Sequence, residues 1–264
     1  EVDEVVAAAG EAQAAWAALP AADRAAVLRR AADELEARRG ELVTVMAREG
    51  GKVIGEADPE VSEAVDFARY YADRAAELDP AAGHPATDGA RFTPSRVTVV
   101  TPPWNFPVAI PMGSVLAALA AGSAVVVKPA PAVPACTEVA AGAVHAALAE
   151  AGVPREVLQV VRTDEGETGR ALVSHPDADT VLLTGSIETA RLFSGWRADR
   201  PGGPRVIAET SGKNAVVVTP AADYDLAVAD VVRSAFGHAG QKCSAASLLI
   251  LVGSAGRSER LRRQ

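Results

Sequence analysis

The sequence predicts an α/β protein: a parallel sheet with helices on both faces, preceded by N-terminal helices. Three observations carry this. From Arg96 onward short apolar runs alternate with helix-like segments, the pattern of a parallel sheet covered on both sides. Before that, as far as Leu78, the apolar residues recur at helical spacing. Hydrophobic residues make up 49% of the 264 residues and aromatics only 4%, so the core is expected to consist of Ala, Val and Leu. Charged residues, at 23%, stand near the usual globular share of about 25%, which excludes intrinsic disorder.

Asp23 is placed to cap a helix running toward Arg39, with Val27, Leu28, Ala31 and Leu35 on one buried face. Gly40 reads as an interruption and Gly50-Gly51 as the stop of the next segment. A third helix is expected from Glu60 to Leu78, with Val61, Val65, Ala68 and Tyr71 on one side. The Pro-, Gly- and Ala-rich stretch from Asp79 to Gly89 reads as a surface connection. Strands are expected at Arg96–Thr101, Ala124–Lys128, Val157–Val161, Thr180–Leu183, Arg205–Ala208 and Ala215–Val218. Helices are expected between them at Pro107–Ala121, Pro134–Ala151, Thr168–Ser174, Ile187–Gly195 and Tyr224–His238. The longest apolar run, Phe106 to Val127, contains Pro107, Pro111, Gly113 and Gly122. It reads as a helix followed by a buried strand and not as a membrane span. Ser247–Val252 is strand-like but follows the alternation, so it is expected to lack sheet partners and to leave an exposed apolar edge. Ser258 to Gln264 is helix-like.

With 26 basic and 34 acidic residues the formal net charge is −8, which argues against a nucleic-acid partner. The two cysteines, Cys136 and Cys243, do not make a disulfide framework, and a reducing, cytoplasmic location is expected. No cysteine–histidine cluster has zinc-ligand spacing, so no metal is expected. Glu1-Val2-Asp3-Glu4 lacks the basic start of a signal peptide, and without an initiator Met the true start is expected upstream.

Four segments carry candidate chemistry, all near expected strand ends, where ligands sit in parallel α/β sheets. In Thr101-Pro-Pro-Trp-Asn-Phe-Pro107 the prolines and Trp104 fix a rigid turn around Asn105. Its amide suits an oxyanion hole, or it satisfies only the turn backbone. Lys128, in Val125-Val-Val-Lys-Pro-Ala-Pro131, ends a strand and offers an ammonium to a ligand hydroxyl or phosphate; otherwise it is a surface lysine. In Leu183-Thr-Gly-Ser-Ile-Glu188, Gly185 and Ser186 would leave N–H groups free at a helix start, an anion site. Gly166 and Gly169 form a second flexible turn after the Val157–Val161 strand, and neither turn is the three-glycine dinucleotide fingerprint. The fourth segment pairs Glu209, in Ala208-Glu-Thr-Ser-Gly-Lys-Asn214, with Cys243, in Gly240-Gln-Lys-Cys-Ser-Ala245. A cysteine is the strongest side-chain nucleophile as thiolate, and a glutamate in an apolar turn can serve as base. The plainer readings are a buried inert thiol and an ion-paired loop residue; for Cys136, in an alanine-rich helix, the inert reading is taken.

In this order and spacing the segments resemble the aldehyde dehydrogenase superfamily, through Pro103-Trp-Asn-Phe-Pro107, Val127-Lys-Pro-Ala130, Thr184-Gly-Ser186, Glu209-Thr-Ser-Gly-Lys213 and Gly240-Gln-Lys-Cys243. The longer strings Thr101–Pro111, Thr184–Ala190, Glu209–Asn214 and Gly240–Ser247 are similar to the L-glutamate γ-semialdehyde (1-pyrroline-5-carboxylate) dehydrogenase branch, which includes the dehydrogenase half of bifunctional proline-oxidising enzymes. The resemblance implies a Rossmann-like fold. Residues 1–78 would form a helical segment of the cofactor domain, 79–239 the NAD-binding domain, and 240–264 the start of a truncated catalytic domain carrying the nucleophile.

By resemblance Cys243 is the nucleophile, Asn105 with the Cys243 N–H holds the oxyanion, and Glu209 activates the water that hydrolyses a thioester. Lys128 meets the adenosine ribose and Ser186 lies near the pyrophosphate, with Pro103, Trp104, Gly166, Gly169, Thr184, Gly185 and Thr210 also at the cofactor. The implied reaction is oxidation of an aldehyde, L-glutamate γ-semialdehyde, to the carboxylate, and the full-length form would be a homo-oligomer. Many members carry Glu where Pro131 stands here, so NAD is implied by the branch and NADP stays open. Members also continue well beyond the cysteine, so the chain is expected to be an N-terminal portion and a poor enzyme by itself. Two further readings are a nucleotide-binding module without turnover and an acylating dehydrogenase using coenzyme A; Glu209 argues against the latter.

Overall fold

A computed structural model gives the structure of the chain and describes residues 1–77, 79, 89, 92–198 and 202–264. The chain divides into two compact units, Glu1–Glu209 and Thr210–Gln264. The expected surface connection Asp79–Gly89 lies almost wholly outside the described residues.

The first unit begins with four helices, α1 (Val2–Ala18), α2 (Ala21–Ala37), α3 (Arg39–Gly50) and α4 (Ile54–Glu77). Three boundaries differ from the expected ones. Pro20, not Asp23, stands at the N-cap of α2, and Asp23 lies in the first turn, where its charge favours the helix dipole. The break after α2 falls at Arg38, and Gly40 sits inside the first turn of α3. Helix α4 begins at Ile54, upstream of the expected Glu60, and carries Pro59 in its second turn, where the proline removes one backbone donor from the helix. The Gly50-Gly51 stop is as expected: Gly51 takes φ 62°, and the Lys52 N–H turns back onto the Met46 carbonyl.

The sheet follows. Strand β1 (Val97–Thr101) leads through α5 (Ala109–Ala121) to β2 (Ala124–Val127), then α6 (Pro134–Glu150) and β3 (Leu158–Val160). Helix α7 (Glu167–Val173), β4 (Thr180–Gly185), α8 (Ile187–Ala198) and β5 (Arg205–Thr210) complete the series. The strand order is β3-β2-β1-β4-β5, with β1 parallel to β2 and β4, and β2 parallel to β3. The start of β5 lies beside the start of β4, where the Arg205 N–H donates to the Asp179 carbonyl.

The period-2 alternation of the strands separates two cores. Val100, Val125 and Val127 pack with α2, α4, α5 and α6 on one face. Val97, Val99, Val126 and Val181 pack with Val6 and Ala9 of α1 and with Leu172 and Val173 of α7 on the other. Because β1 and β2 are buried on both faces, they read as unbroken valine-rich runs. The helix layer relies on small residues. Ala57, Ala64, Ala68, Ala72 and Ala75 of α4 are fully buried, and a Cβ on Gly113 of α5 would stand 3.1 Å from the Phe67 ring. The Phe106–Val127 run is α5 followed by β2, and no helix among the described residues is long and apolar enough to cross a membrane.

The second unit holds β6 (Asn214–Val218), α9 (Tyr224–Phe236), β7 (Ala246–Leu251) and α10 (Glu259–Arg263). Here one expectation is corrected: the Ser247–Val252 run does have a sheet partner, because β7 pairs in parallel with β6. Leu248, Leu249 and Ile250 nevertheless stay 42–45% exposed. The small apolar core beneath them contains Val218, Ala255 and Leu261.

Candidate active site

The strand order reverses between β1 and β4, since the chain winds outward from β1 through β2 and β3 and then returns to the other side of β1. Open parallel sheets bind ligands at the carboxyl ends of the strands at such a reversal. The segment leaving β1 there is Pro102–Pro107, with Asn105, and the segment leaving β4 is Ser186 with α8. Lys128 leaves β2 at the same edge, its N–H donating to the Val100 carbonyl at 2.9 Å. The fold therefore brings Pro103, Trp104, Asn105, Lys128, Thr184, Gly185 and Ser186 to one edge of one sheet. All are half-buried except Trp104, which is 46% exposed.

The Asn105 segment is clamped from outside its own sequence. Lys52, buried just after the Gly51 turn, places Nζ 3.0 Å from the Asn105 carbonyl oxygen and 3.9 Å from the Phe106 ring centroid. The same ammonium pairs with the carboxylate of buried Glu60 in α4. The other Glu60 oxygen accepts the N–H groups of Val108 (2.8 Å) and Ala109 (3.1 Å), the opening donors of α5, whose own N-cap residue Val108 supplies no side-chain cap. Thr137 of α6 donates its hydroxyl to the Pro107 carbonyl at 3.1 Å.

The two small-residue turns differ from what their composition suggested. At α8 the Ser186 Oγ accepts the Thr189 N–H at 3.0 Å. Hydrogen bonds from its own backbone N–H and from Ser186 hold the Glu188 carboxyl below the usual range. The helix start thus already carries a cap and an anion of its own. At α7 the Asp164 carboxylate accepts the N–H groups of Gly166 (3.0 Å), Thr168 (3.2 Å) and Gly169 (3.4 Å), so those amides serve the turn itself. Asp164 gave no sequence signal beyond being an acidic residue before a glycine. Glu209 lies within β5 and is exposed, where an apolar turn was expected. Thr210 closes that strand.

In the second unit Cys243 is exposed and sits in the turn between the Gly237–Gly240 segment and β7. His238 and Ala239 take left-handed backbone angles there, φ 50° and 56°. Asn214, at the start of β6, donates to the carbonyls of Cys243 (2.6 Å) and Ala245 (3.1 Å). Cys136 is fully buried in α6, and burial, reinforced by Glu49, pushes its thiol up to about 12, which agrees with the inert reading.

Residues 1–258 match the aldehyde dehydrogenase family. The chain belongs to the aldehyde dehydrogenase family. It is 40% identical over 259 residues to 1-pyrroline-5-carboxylate dehydrogenase 2 of Bacillus subtilis, covering 94% of this chain and 49% of that protein. It is 45% identical over 235 residues to the bifunctional protein PutA of Rhizobium meliloti, covering 87% of this chain and 18% of that protein. Among solved structures, proline utilization A from Corynebacterium freiburgense superposes with TM-score 0.83 at 52% identity over 98% of this chain and 25% of that one. A variant 1-pyrroline-5-carboxylate dehydrogenase from Thermus thermophilus superposes with TM-score 0.88 at 34% identity over 99% of this chain and 51% of that one. The chain spans about half the length of the curated dehydrogenases it matches.

Membership in this oxidoreductase family fits a sheet whose site-bearing segments gather at the β1–β4 reversal. Three residues of the aldehyde dehydrogenase chain escaped the sequence reading. Lys52 and Glu60, a lone lysine and a lone glutamate flanking a helix start, look like solvated charges until the fold buries them. Asn214, at the end of the Glu209 motif, shows its partner only once β6 pairs with β7.

Proposed function

We propose that this chain takes part in the oxidation of L-glutamate γ-semialdehyde to L-glutamate, with NAD as hydride acceptor, through a thioester on Cys243. The observation that carries the proposal is the strand order, which sets the clamped Asn105 segment beside the Thr184-Gly185-Ser186 turn at the point of reversal. The names of the similar proteins support the choice of aldehyde.

The donor set at the sheet edge suits a dinucleotide. Lys128 offers an ammonium to ribose hydroxyls and Thr184 a hydroxyl near a diphosphate, with Ser186, whose hydroxyl is held in the cap of α8, and Pro103, Trp104 and Thr210 alongside. The Gly166 and Gly169 amides are committed to Asp164, so in this proposal they shape the turn and do not contact phosphate. When bound, the nicotinamide supplies the acceptor for the aldehyde hydrogen. The protein does the rest. The Cys243 thiolate adds to the aldehyde carbon, forming a C–S bond and leaving an alkoxide. The Asn105 amide and the Cys243 N–H donate to that oxygen. After oxidation to the thioester, Glu209 takes a proton from water as the water attacks the acyl carbon, and the Cys243 thiolate departs.

The test is reduction of NAD and of NADP by the intact gene product with 1-pyrroline-5-carboxylate, which is in equilibrium with the open semialdehyde. Cys243→Ala is expected to abolish turnover and to leave cofactor binding in place. Turnover that survives Cys243→Ala overturns the thioester route.

A further inference from the structure

We infer that Lys52 and Glu60 are positioning residues for the Asn105 amide, an inference that rests on the assignment of Asn105 as an oxyanion donor. Both side chains are withdrawn from water, at 2% and 0% exposure. A buried ion pair is a poor way to gain stability, since a well-packed apolar pair of equal volume often does as well. What the pair gains here is a hold on one segment. The Lys52 ammonium binds the Asn105 carbonyl at 3.0 Å and lies over the Phe106 ring, and Glu60 binds the Val108 and Ala109 N–H groups. Between these two holds, the Pro107 carbonyl accepts the Thr137 hydroxyl.

Fixing the Asn105 carbonyl and the opening of α5 fixes the peptide plane that follows the Asn105 Cα, and so narrows the directions its Cα–Cβ bond can take. An oxyanion donor acts only within a few tenths of an ångström of its target distance, so the direction of that bond governs how much of the amide's effect is realised. The charges strengthen the device. An ammonium-to-carbonyl bond and a carboxylate holding two N–H groups are stiffer than their neutral counterparts, and burial keeps water from competing.

The test is a double-mutant cycle in the intact gene product. Steady-state kinetics with 1-pyrroline-5-carboxylate would be measured for Lys52→Met, Glu60→Gln and Asn105→Ala, and for each of the first two in the Asn105→Ala background. Asn105→Ala is expected to lower kcat by about a hundredfold or more, as for loss of one oxyanion donor. Lys52→Met and Glu60→Gln are each expected to lower kcat about tenfold, with KM unchanged, since the loss is felt only in the transition state. In the Asn105→Ala background the same substitutions should cost less than about twofold, because there is no longer an amide to place. Acrylamide quenching of Trp104 fluorescence, taken as the difference between each protein and its Trp104→Phe counterpart, should rise in both variants as the segment loosens. Glu60→Gln keeps an acceptor and the volume, and carries the test if Lys52→Met fails to fold. Equal losses in both backgrounds, or an unchanged kcat, overturn the positioning role alone. An unchanged kcat in Asn105→Ala overturns the oxyanion assignment and this inference with it.

Discussion

The Asn214 side-chain amide reaches across to the turn that carries Cys243, donating to the Cys243 carbonyl at 2.6 Å and to the Ala245 carbonyl at 3.1 Å. The β6–β7 pairing begins beside it, at Asn214 opposite Ala246, with a register shift immediately after. One amide therefore sets both the start of the ladder and the path of the chain through Cys243. Each bond is worth about 1 kcal/mol net, so Asn214→Ala is expected to destabilise the unit by about 1–2 kcal/mol. Asn214→Asp should be worse near neutral pH, since a carboxylate would face two carbonyl oxygens with no proton to donate. The same repulsion raises the Asp carboxyl above its free value of about 3.9, so the excess cost is present above that range and shrinks as pH falls and the group gains a proton. Thermal unfolding of the two variants between pH 7 and pH 4 reads this directly. Equal melting temperatures for Ala and Asp at pH 7 would contradict it.

Gly169 and Gly166 lie in the same turn but have different reasons to be glycine. A Cβ on Gly169 would stand 2.6 Å from the Asp164 carbonyl oxygen, a backbone atom that cannot swing aside. A Cβ on Gly166 would meet only the Asp164 carboxylate, at an ordinary 3.6 Å. Gly169→Ala is expected to cost about 1–3 kcal/mol through overpacking, and Gly166→Ala less than about 0.5 kcal/mol. Urea denaturation of each variant gives the comparison. A Gly169→Ala protein as stable as its parent would show that the turn has room to shift.

The sheet and most of its helices were legible because valine runs and alanine-spaced helices signal burial locally. The run at Ala124–Val127 is apolar throughout and became a strand buried on both faces. Boundaries were less legible where one residue type has two meanings. The third helix was expected from Glu60 yet begins at Ile54 with Pro59 inside it, and Gly40 reads as an interruption yet lies within the first turn of α3. The site segments at β1, β2 and β4 were found because they follow strands. What holds them was not, because Lys52 and Glu60 act 53 and 48 residues away from Asn105 and Val108. Buried charge has no local signature. The glycine turns misled for a related reason: composition shows that an amide is accessible to a partner but not that Asp164 or Ser186 already supplies one.

His145 gives the acid limb of stability a named contributor. Its Nε2–H donates to the Leu158 carbonyl at 2.7 Å, at the start of β3. Burial lowers its pKa below the usual imidazole value, the Leu158 bond opposing and Arg155 adding to the fall. With the folded value depressed, the unfolded chain binds a proton first as pH drops below about 6.5. Stability is therefore full above that pH and is lost as pH falls through the folded value. Gln at this position can donate to the same carbonyl and does not titrate. His145→Gln is expected to flatten the fall in unfolding free energy between pH 7 and pH 5, measured by urea denaturation. An acid limb of unchanged slope would assign the effect elsewhere.

The two thiols should be separable by reactivity. Cys243 is exposed, while Cys136 is fully buried with its pKa pushed up to about 12 by burial first and Glu49 second. Because the thiolate is the reacting species, native protein at pH 8 is expected to release one equivalent of thionitrobenzoate from the disulfide reagent, and urea-unfolded protein two. Cys243→Ala should take the native value to zero, and Cys136→Ala should leave it at one. The raised Cys136 value also has a consequence at alkaline pH. Its folded value lies above that of a free thiol, so the unfolded chain loses that proton first, and stability held at lower pH falls as pH rises toward 12. Cys136→Ala, which keeps a small apolar side chain in the pocket, is expected to fall less steeply over that range than the parent. Native labelling of Cys136 at a rate comparable with Cys243 would mean that α6 opens readily, and both expectations would fail together.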